Sequence, residues 1–290
     1  VVTAPDQPTG RGLQVQPSPV KVYASARDIP VLQPEKLRNE EFLSQLRAFH
    51  ADLFIVVAFR MLPEAVWNMP HLGTFNLHAS LLPDYRGAAP IHHAIMNGET
   101  ETGITTFFLQ QEIDTGKIIF QEKMAIHPDE TTGELHDRMK VAGARLAVKT
   151  VEAILSGNQQ PVDQALLIAP GRELRPAPKI FREDCRIDWT QTSVDIYNKI
   201  RGLCPVPAAF TTLVSPSGEP FQLKIYKARV QPTANHMVFG TLVTDGKQHL
   251  AISSADGLLF LEEVQLAGKR RMSMADLLRG FRIGPDWKVA

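Results

Sequence analysis

Residues Leu53-Phe54-Ile55-Val56-Val57-Ala58-Phe59 are apolar without a break, and no other such run in the 290 residues is as long. The run is far short of the ~18 apolar residues a membrane-spanning helix needs. It reads instead as a strand buried on both faces, the mark of a parallel sheet flanked by helices. The sequence around it alternates in the same sense. Thr74 to His78 reads as a second strand, Ile104 to Leu109 as a third and Lys117 to Ile126 as a fourth. A long helix follows. Thr131 and Glu134 have the spacing of a capping box, Gly157 stands where a C-cap belongs, and Leu135, Met139, Ala142, Leu146 and Ile154 form an apolar stripe between them. The fold class of this half is α/β with a largely parallel sheet. Val1-Val2-Thr3 looks like the end of a strand entering a loop, so one βα unit is expected to be missing ahead of it.

Residues 158–182 lose the periodicity and contain Pro161, Pro170, Pro176 and Pro178, which predicts a connector draped over the surface. A short helix over about Ser193 to Arg201 is stopped by Gly202 and Pro205. Strand-like runs come next at Phe210–Val214, Leu223–Val230, Gly240–Thr244, Leu250–Ser253 and Leu258–Val264, a pattern that suggests a small barrel. Ser273 is placed to cap a last short helix through Leu278. The division expected is therefore residues 1–157, a linker over 158–182, and residues 183–290.

Charge is divided along the chain. Residues 1–170 hold 14 Lys and Arg against 19 Asp and Glu, a net of −5, and residues 171–290 hold 17 against 12, a net of +5. The basic half, with Lys269, Arg270 and Arg271 together, suits an anionic partner such as a nucleic acid, although a solvated charged face is the plainer reading. Two cysteines, Cys185 and Cys204, allow neither a disulfide framework nor a four-thiolate zinc site. The first twenty residues are polar and broken by Pro and Gly, so no signal peptide or membrane association is expected and the cytoplasm is the default location.

The densest group of polar and special residues is Asn76-Leu77-His78-Ala79-Ser80-Leu81-Leu82-Pro83-Asp84-Tyr85-Arg86-Gly87. On a strand, Asn76 and His78 share a face with Cα atoms roughly 6.5–7 Å apart. An amide beside an imidazole at the C-terminal end of a sheet strand suits an oxyanion and its proton transfers. Taken alone, the pair is better read as a strand end that merely satisfies loop carbonyls. Asp114, within Glu112-Ile113-Asp114-Thr115-Gly116, adds a carboxylate on a turn. The Asp-Thr-Gly triplet also occurs in aspartic proteases, but these need two such carboxylates and the chain has one triplet in an α/β setting. A carboxylate that orients a histidine or a water is the better role. His92 and His93 are adjacent at a helix start and make poor joint metal ligands.

Together, Asn76-x-His78, Ser80-Leu81-Leu82-Pro83 with Tyr85-Arg86-Gly87, and Asp114 resemble the 10-formyltetrahydrofolate-dependent formyltransferases. Within that family the likeness is to the branch acting on methionyl initiator tRNA. Pro5 to Gly12 resembles its tRNA-reading loop, Arg186-Ile187-Asp188-Trp189 the start of its C-terminal domain, and Gly268-Lys269-Arg270-Arg271-Met272 its basic turn. The resemblance implies a Rossmann-like formyltransferase domain lacking its first βα unit, followed by an OB-like β-barrel that binds tRNA. It implies formyl transfer from 10-formyltetrahydrofolate, with no metal, by direct attack of the methionyl amine, and a monomer active in translation initiation. By the same resemblance Asn76, His78 and Asp114 are catalytic and stabilise the tetrahedral intermediate, Ser80, Leu81, Leu82 and Pro83 line the folate site, and Arg11, Lys269, Arg270 and Arg271 meet the tRNA. The rivals are the same chemistry on a nucleotide-sugar amine or glycinamide ribonucleotide, hydrolysis of formylfolate, and a non-catalytic RNA-binding module.

Overall fold

The structure is a computed structural model that describes residues 1–9, 14–58, 60–233, 237–284 and 286–290. Its front half opens on a two-stranded antiparallel ribbon, β1 (Gln7–Thr9) and β2 (Gln14–Gln16), followed by α1 (Pro19–Ser25) and α2 (Glu40–Arg47). Then come β3 (Phe54–Val57), α3 (Glu64–Trp67), β4 (Thr74–His78), β5 (Arg86–Gly87), α4 (Pro90–Met96), β6 (Glu101–Phe108), β7 (Ile118–Ala125) and α5 (Thr132–Leu155). Four strands form one sheet in the order β3-β4-β6-β7. β3 and β4 are parallel, while β6 and β7 continue the sheet antiparallel, so the sheet is less parallel than expected. The nine residues between β6 and β7 are too few for a parallel crossover, so that pair closes as a hairpin.

β3 departs from the reading of a strand buried on both faces. It lies at the sheet edge, and Ile55 and Val57 are about half exposed at 50% and 54%. An apolar run reports that a face can be buried, not that an element covers it.

α5 packs across β4 and β6 through Leu135, Met139, Ala142 and Leu146, joined by Leu77 and Ile104. Gly143 permits the close approach, since a Cβ there would stand 2.8 Å from Leu77 Cδ2. The Thr106 and Thr150 hydroxyls pair at 2.9 Å across the same contact. The capping box is formed: Thr131 Oγ1 accepts from the Glu134 amide at 3.3 Å, and the Glu134 carboxylate accepts from the Thr131 amide at 2.9 Å. The Thr131 amide first, and then the Thr131 hydroxyl donating to the same carboxylate at 2.7 Å, hold the Glu134 carboxyl below its ordinary value of 4.5. Its share of stability is therefore present above pH 4.5 and lost as pH falls through the lowered folded value. Thr131→Ala is expected to cost about 1 kcal/mol in chemical denaturation at pH 7 and less near pH 3.

The segment 158–182 is not merely draped over the surface. It contains a 3₁₀ turn, Gln164–Leu167, with Gln164 buried, and a strand β8 (Pro176–Ala177) that runs parallel to β5. Its lack of periodicity reflects pairing with loop backbone, which needs partners but no repeating side-chain pattern.

After a 3₁₀ turn at Glu183–Cys185 come α6 (Ser193–Leu203), β9 (Ala209–Val214), β10 (Pro220–Pro232), β11 (Leu242–Thr244), β12 (Leu250–Ser253), β13 (Gly257–Leu266), β14 (Met272–Ser273), α7 (Met274–Gly280) and β15 (Lys288–Val289). The strands make one antiparallel sheet, β11-β12-β13-β10-β9-β15 with β14 on β13, curved into a nearly closed barrel around a single core. A bulge at Lys227 in the long β10 assists the curvature. Two short strands, β14 and β15, go beyond the five expected. α6 joins the halves: Thr132 Oγ1 donates to Gly202 O at 2.7 Å, and the buried Arg201 donates to Glu130 O at 3.1 Å. Among the described residues, no helix is long and apolar enough to cross a membrane.

Candidate active site

On β4, Phe75 and Leu77 face the α5 side, which leaves Asn76 and His78 on the opposite face beside Phe107 and Thr105 of β6. The His78 ring meets Phe107 edge-on, with centroids 6.4 Å apart. The chain leaving β4 loops back over this face. Ser80 is fully buried and donates its hydroxyl to Asp84 O at 2.7 Å, while Thr105 Oγ1 donates to Ser80 O at 2.6 Å and accepts from the Leu82 amide at 3.3 Å. Gln121 Nε2 donates to Leu82 O at 2.8 Å. The loop thereby arrives at Tyr85, whose carbonyl is aimed at the imidazole.

That carbonyl decides the ring's chemistry. His78 Nε2 lies 2.9 Å from Tyr85 O. A carbonyl oxygen only accepts, so Nε2 carries the hydrogen and Nδ1 is the nitrogen free to gain or lose a proton. Nδ1 faces Asp114 Oδ2 at 3.8 Å, too far for a direct hydrogen bond and close enough for strong charge interaction. The side chains are 7% and 11% exposed, so water screens the pair little. Asn76 Oδ1 is buried and accepts no hydrogen bond among the described residues. An orphaned amide oxygen on the same strand face as a proton-carrying imidazole is a position waiting for a donor.

Asp114 comes from the β6–β7 turn at φ +55°, and its Oδ2 accepts from the Gly87 amide at 2.9 Å. Two glycines make this approach possible. A Cβ on Gly116 would fall 1.7 Å from Phe108 O, and one on Gly87 2.4 Å from Ala177 O. The turn is secured from beneath by Gln164, which donates to Asp114 O at 2.9 Å and to Gly116 O at 2.8 Å and accepts from Arg86 Nη2 at 2.6 Å. Tyr85 is held in its turn, its amide donating to Arg175 O at 2.6 Å and its phenol to Glu99 at 2.5 Å. Arg175 pairs with the same Glu99 carboxylate. Burial pushes the Tyr85 phenol up, so it remains a donor.

The structure thus brings Asn76, His78 and Asp114 together. It turns the side chains of Ser80 and Leu82 inward, buries Pro83, and leaves Leu81 against Gly103, so this segment offers the site a braced backbone more than a row of free side chains. His92 and His93 are bound to the carbonyls of Val206 and Pro178 at 3.2 and 3.0 Å, away from the three. Lys269, Arg270 and Arg271 are exposed on the turn after β13. Arg271 pairs with Glu263 at 2.6 Å and stacks on Tyr226, whereas Lys269 and Arg270 sit on the turn that follows Gly268, at φ +78°. Arg11 lies outside the described residues. No group of His, Cys, Asp and Glu able to hold a metal occurs among the described residues.

Reading the sequence missed Gln164, the Tyr85 carbonyl and the Gly87 amide. Tyr85, Gly87 and Gly116 stand inside polar motifs of the sequence, but the reason for them, contact with distant groups, does not show along the chain.

Residues 1–151 match the family model described as formyl transferase, and residues 179–282 match that of the formyl transferase C-terminal domain. The chain is 53% identical to the methionyl-tRNA formyltransferase of Bacteroides thetaiotaomicron over 289 residues, covering 100% of this chain and 89% of that protein. It is also 53% identical to that of Parabacteroides distasonis over 290 residues, 100% of this chain and 90% of that one. Among solved structures it resembles HypX from Aquifex aeolicus in complex with tetrahydrofolic acid, with a TM-score of 0.60 at 19% identity over 88% of this chain and 43% of that one. It also resembles WlaRD, a sugar 3N-formyl transferase, with a TM-score of 0.58 at 20% identity over 87% and 82% of the two chains. At these identities the two structures speak to the fold alone.

Proposed function

The chain belongs to the formyl transferase family, and on that premise we propose that it transfers a formyl group from 10-formyltetrahydrofolate to the free amino group of methionyl initiator tRNA, in support of translation initiation. The observation that carries the chemistry is one face of β4, where an unpartnered Asn76 Oδ1 lies beside an imidazole whose Nδ1 is 3.8 Å from a buried carboxylate. These residues fit a formyl donor and an amine, since the site supplies an amide, a proton carrier and a balancing charge.

Bound 10-formyltetrahydrofolate supplies an activated formyl carbonyl and a nitrogen leaving group; the remaining work falls to the chain. The α-amino group of an aminoacyl ester, with a reference pKa near ~7.7–8.0, has a useful neutral fraction at neutral pH and needs no covalent enzyme intermediate. Asn76 orients the amine or the developing oxyanion, according to which end of its amide is presented. His78 takes the amine's proton at Nδ1, because Nε2 is committed to Tyr85 O, and the resulting N–H donates to the oxyanion and then to the leaving nitrogen. Asp114 balances the charge that the ring carries while it holds the proton.

In this reading residues 1–157 are catalytic, 158–182 link, and 183–290 form the tRNA-binding barrel of a cytoplasmic monomer. The folate is met by the Ser80 to Pro83 loop and the tRNA by Arg11, Lys269 and Arg270, with Arg271 bracing their turn. Changing Lys269 and Arg270 together to alanine should weaken tRNA binding and lower the slope of log K against log salt by about 2, because each lost phosphate contact removes about one released counterion. A filter-binding titration across salt concentrations reads this, and an unchanged slope removes the turn from the tRNA surface.

The activity is tested with 10-formyltetrahydrofolate and initiator tRNA, charged with methionine or uncharged. Formyl appearing only on the methionyl ester supports the proposal. Loss of formyl from the folate with no acceptor marks a hydrolase, and transfer only to a small amine assigns another acceptor.

A further inference from the structure

A buried glutamine joins three segments that meet at the site. Gln164 is 1% exposed, and its amide is fully used. Nε2 donates to Asp114 O at 2.9 Å and Gly116 O at 2.8 Å, and Oε1 accepts from Arg86 Nε at 3.1 Å and Nη2 at 2.6 Å. A carboxamide has two hydrogens to give and two lone pairs to receive, and all four are engaged. Among the described residues no other side chain bonds either of the two turn carbonyls. One belongs to Asp114 itself, at its strained φ of +55°, and the other to Gly116 two residues on, so the amide grips the turn at the carboxylate's own residue and just beyond it. Its other end grips Arg86, next to the Gly87 amide that donates to Asp114 Oδ2 at 2.9 Å.

We infer that Gln164, supplied by the connecting segment, is a positioning residue for the transfer: it sets the separation between the Asp114 carboxylate and His78 Nδ1 by fixing the turn on one side and the Arg86–Gly87 strand on the other. The kinetic part of this inference rests on the formyl-transfer reading; the geometric part does not. Residues acting through packing alone lower stability and the active fraction. A residue acting through Asp114 lowers turnover, leaves substrate binding intact, and has nothing more to remove once Asp114 is neutralised.

Gln164→Met keeps the reach and removes every hydrogen bond, while Gln164→Glu keeps the acceptor for Arg86 and removes the donors to the turn. In both, kcat for formyl transfer is expected to fall about 100-fold, with KM for folate and tRNA within about threefold, as for a reacting group misplaced by an ångström. The Asp114→Asn/Gln164→Met double variant should lie within about threefold of Asp114→Asn alone. Amide hydrogen exchange at Gly87 should quicken by about tenfold or more in both single variants, because its acceptor has moved. Losses that multiply in the double variant, or wild-type protection of Gly87 in Gln164→Glu, overturn the inference. Should Gln164→Met fail to fold, Gln164→Glu carries both measurements. A chain that forms no formyl product refutes the functional reading, while the exchange at Gly87 still decides the positioning.

Discussion

Changing His78 to alanine is expected to lower kcat for formyl transfer by about 10³-fold or more while the dissociation constant of the folate changes little. The imidazole is asked to do two things at one atom. Nδ1 receives the proton of the attacking amine, and the same N–H is the donor for the oxyanion and the leaving nitrogen. Loss of a single oxyanion donor typically costs about 10²–10³ in rate, and loss of a positioned acid–base group about 10²–10⁴. The two effects share a residue and do not simply multiply. The variant also strands Tyr85 O, a buried acceptor whose donor is His78 Nε2, so a stability loss of about 1–3 kcal/mol should accompany the kinetic one. Kinetics is therefore measured below the variant's own melting range. Asn76→Ala strands nothing comparable, because its Oδ1 has no partner among the described residues, and should lose rate with a smaller loss of stability. Folate affinity falling in step with rate in both variants would recast the pair as binding residues.

What could be read along the chain was whatever depends on neighbours a few residues away. The Thr131 and Glu134 box, the Gly157 stop and the β4 strand Thr74–His78 stand where their local chemistry puts them. Ser273 caps α7 by accepting from the Asp276 amide at 3.1 Å. Asn76 and His78 share a face because a strand alternates, and that much is arithmetic. Other features were set by contacts far along the chain. The antiparallel course of β6 and β7, the exposure of Ile55 and Val57, and the burial of Gln164 each depend on what the fold brings alongside.

The same division runs through the site. The residue types that carry the chemistry were visible as a dense polar cluster, but their geometry was not. Tyr85 stood out only as part of a motif, yet its role here is that of a backbone carbonyl, which any residue possesses. Gly87 and Gly116 look like ordinary turn glycines until Ala177 O and Phe108 O are placed against them. Gln164 sits in a proline-rich stretch with no periodicity, and its four hydrogen bonds reach residues up to 78 positions away. Sequence shows such a residue only as a polar side chain in a loop.

Asp114→Asn should lower kcat by about 10²–10³-fold with KM values nearly unchanged. The substitution is close to isosteric, and its amide oxygen can still accept from the Gly87 amide, so what changes is charge. Two unit charges about 4 Å apart interact by about 4 kcal/mol at the effective dielectric constant near 20 typical of protein sites, which corresponds to a factor of about 10³. The observed separation of 3.8 Å and the low exposure of both side chains put the pair in that regime. A carboxylate bonded directly to its histidine also dictates the ring's tautomer, and in a protease triad its replacement by asparagine costs about 10⁴. Here the tautomer is set independently by Tyr85 O, so that part of the penalty is absent and the loss should be smaller. Single-turnover formylation of methionyl initiator tRNA at saturating folate measures it. Retention of more than a tenth of the wild-type rate would show that the imidazole performs its proton transfers without the carboxylate. A loss near 10⁴ would instead mean that Asp114 and His78 bond directly once the substrates are bound.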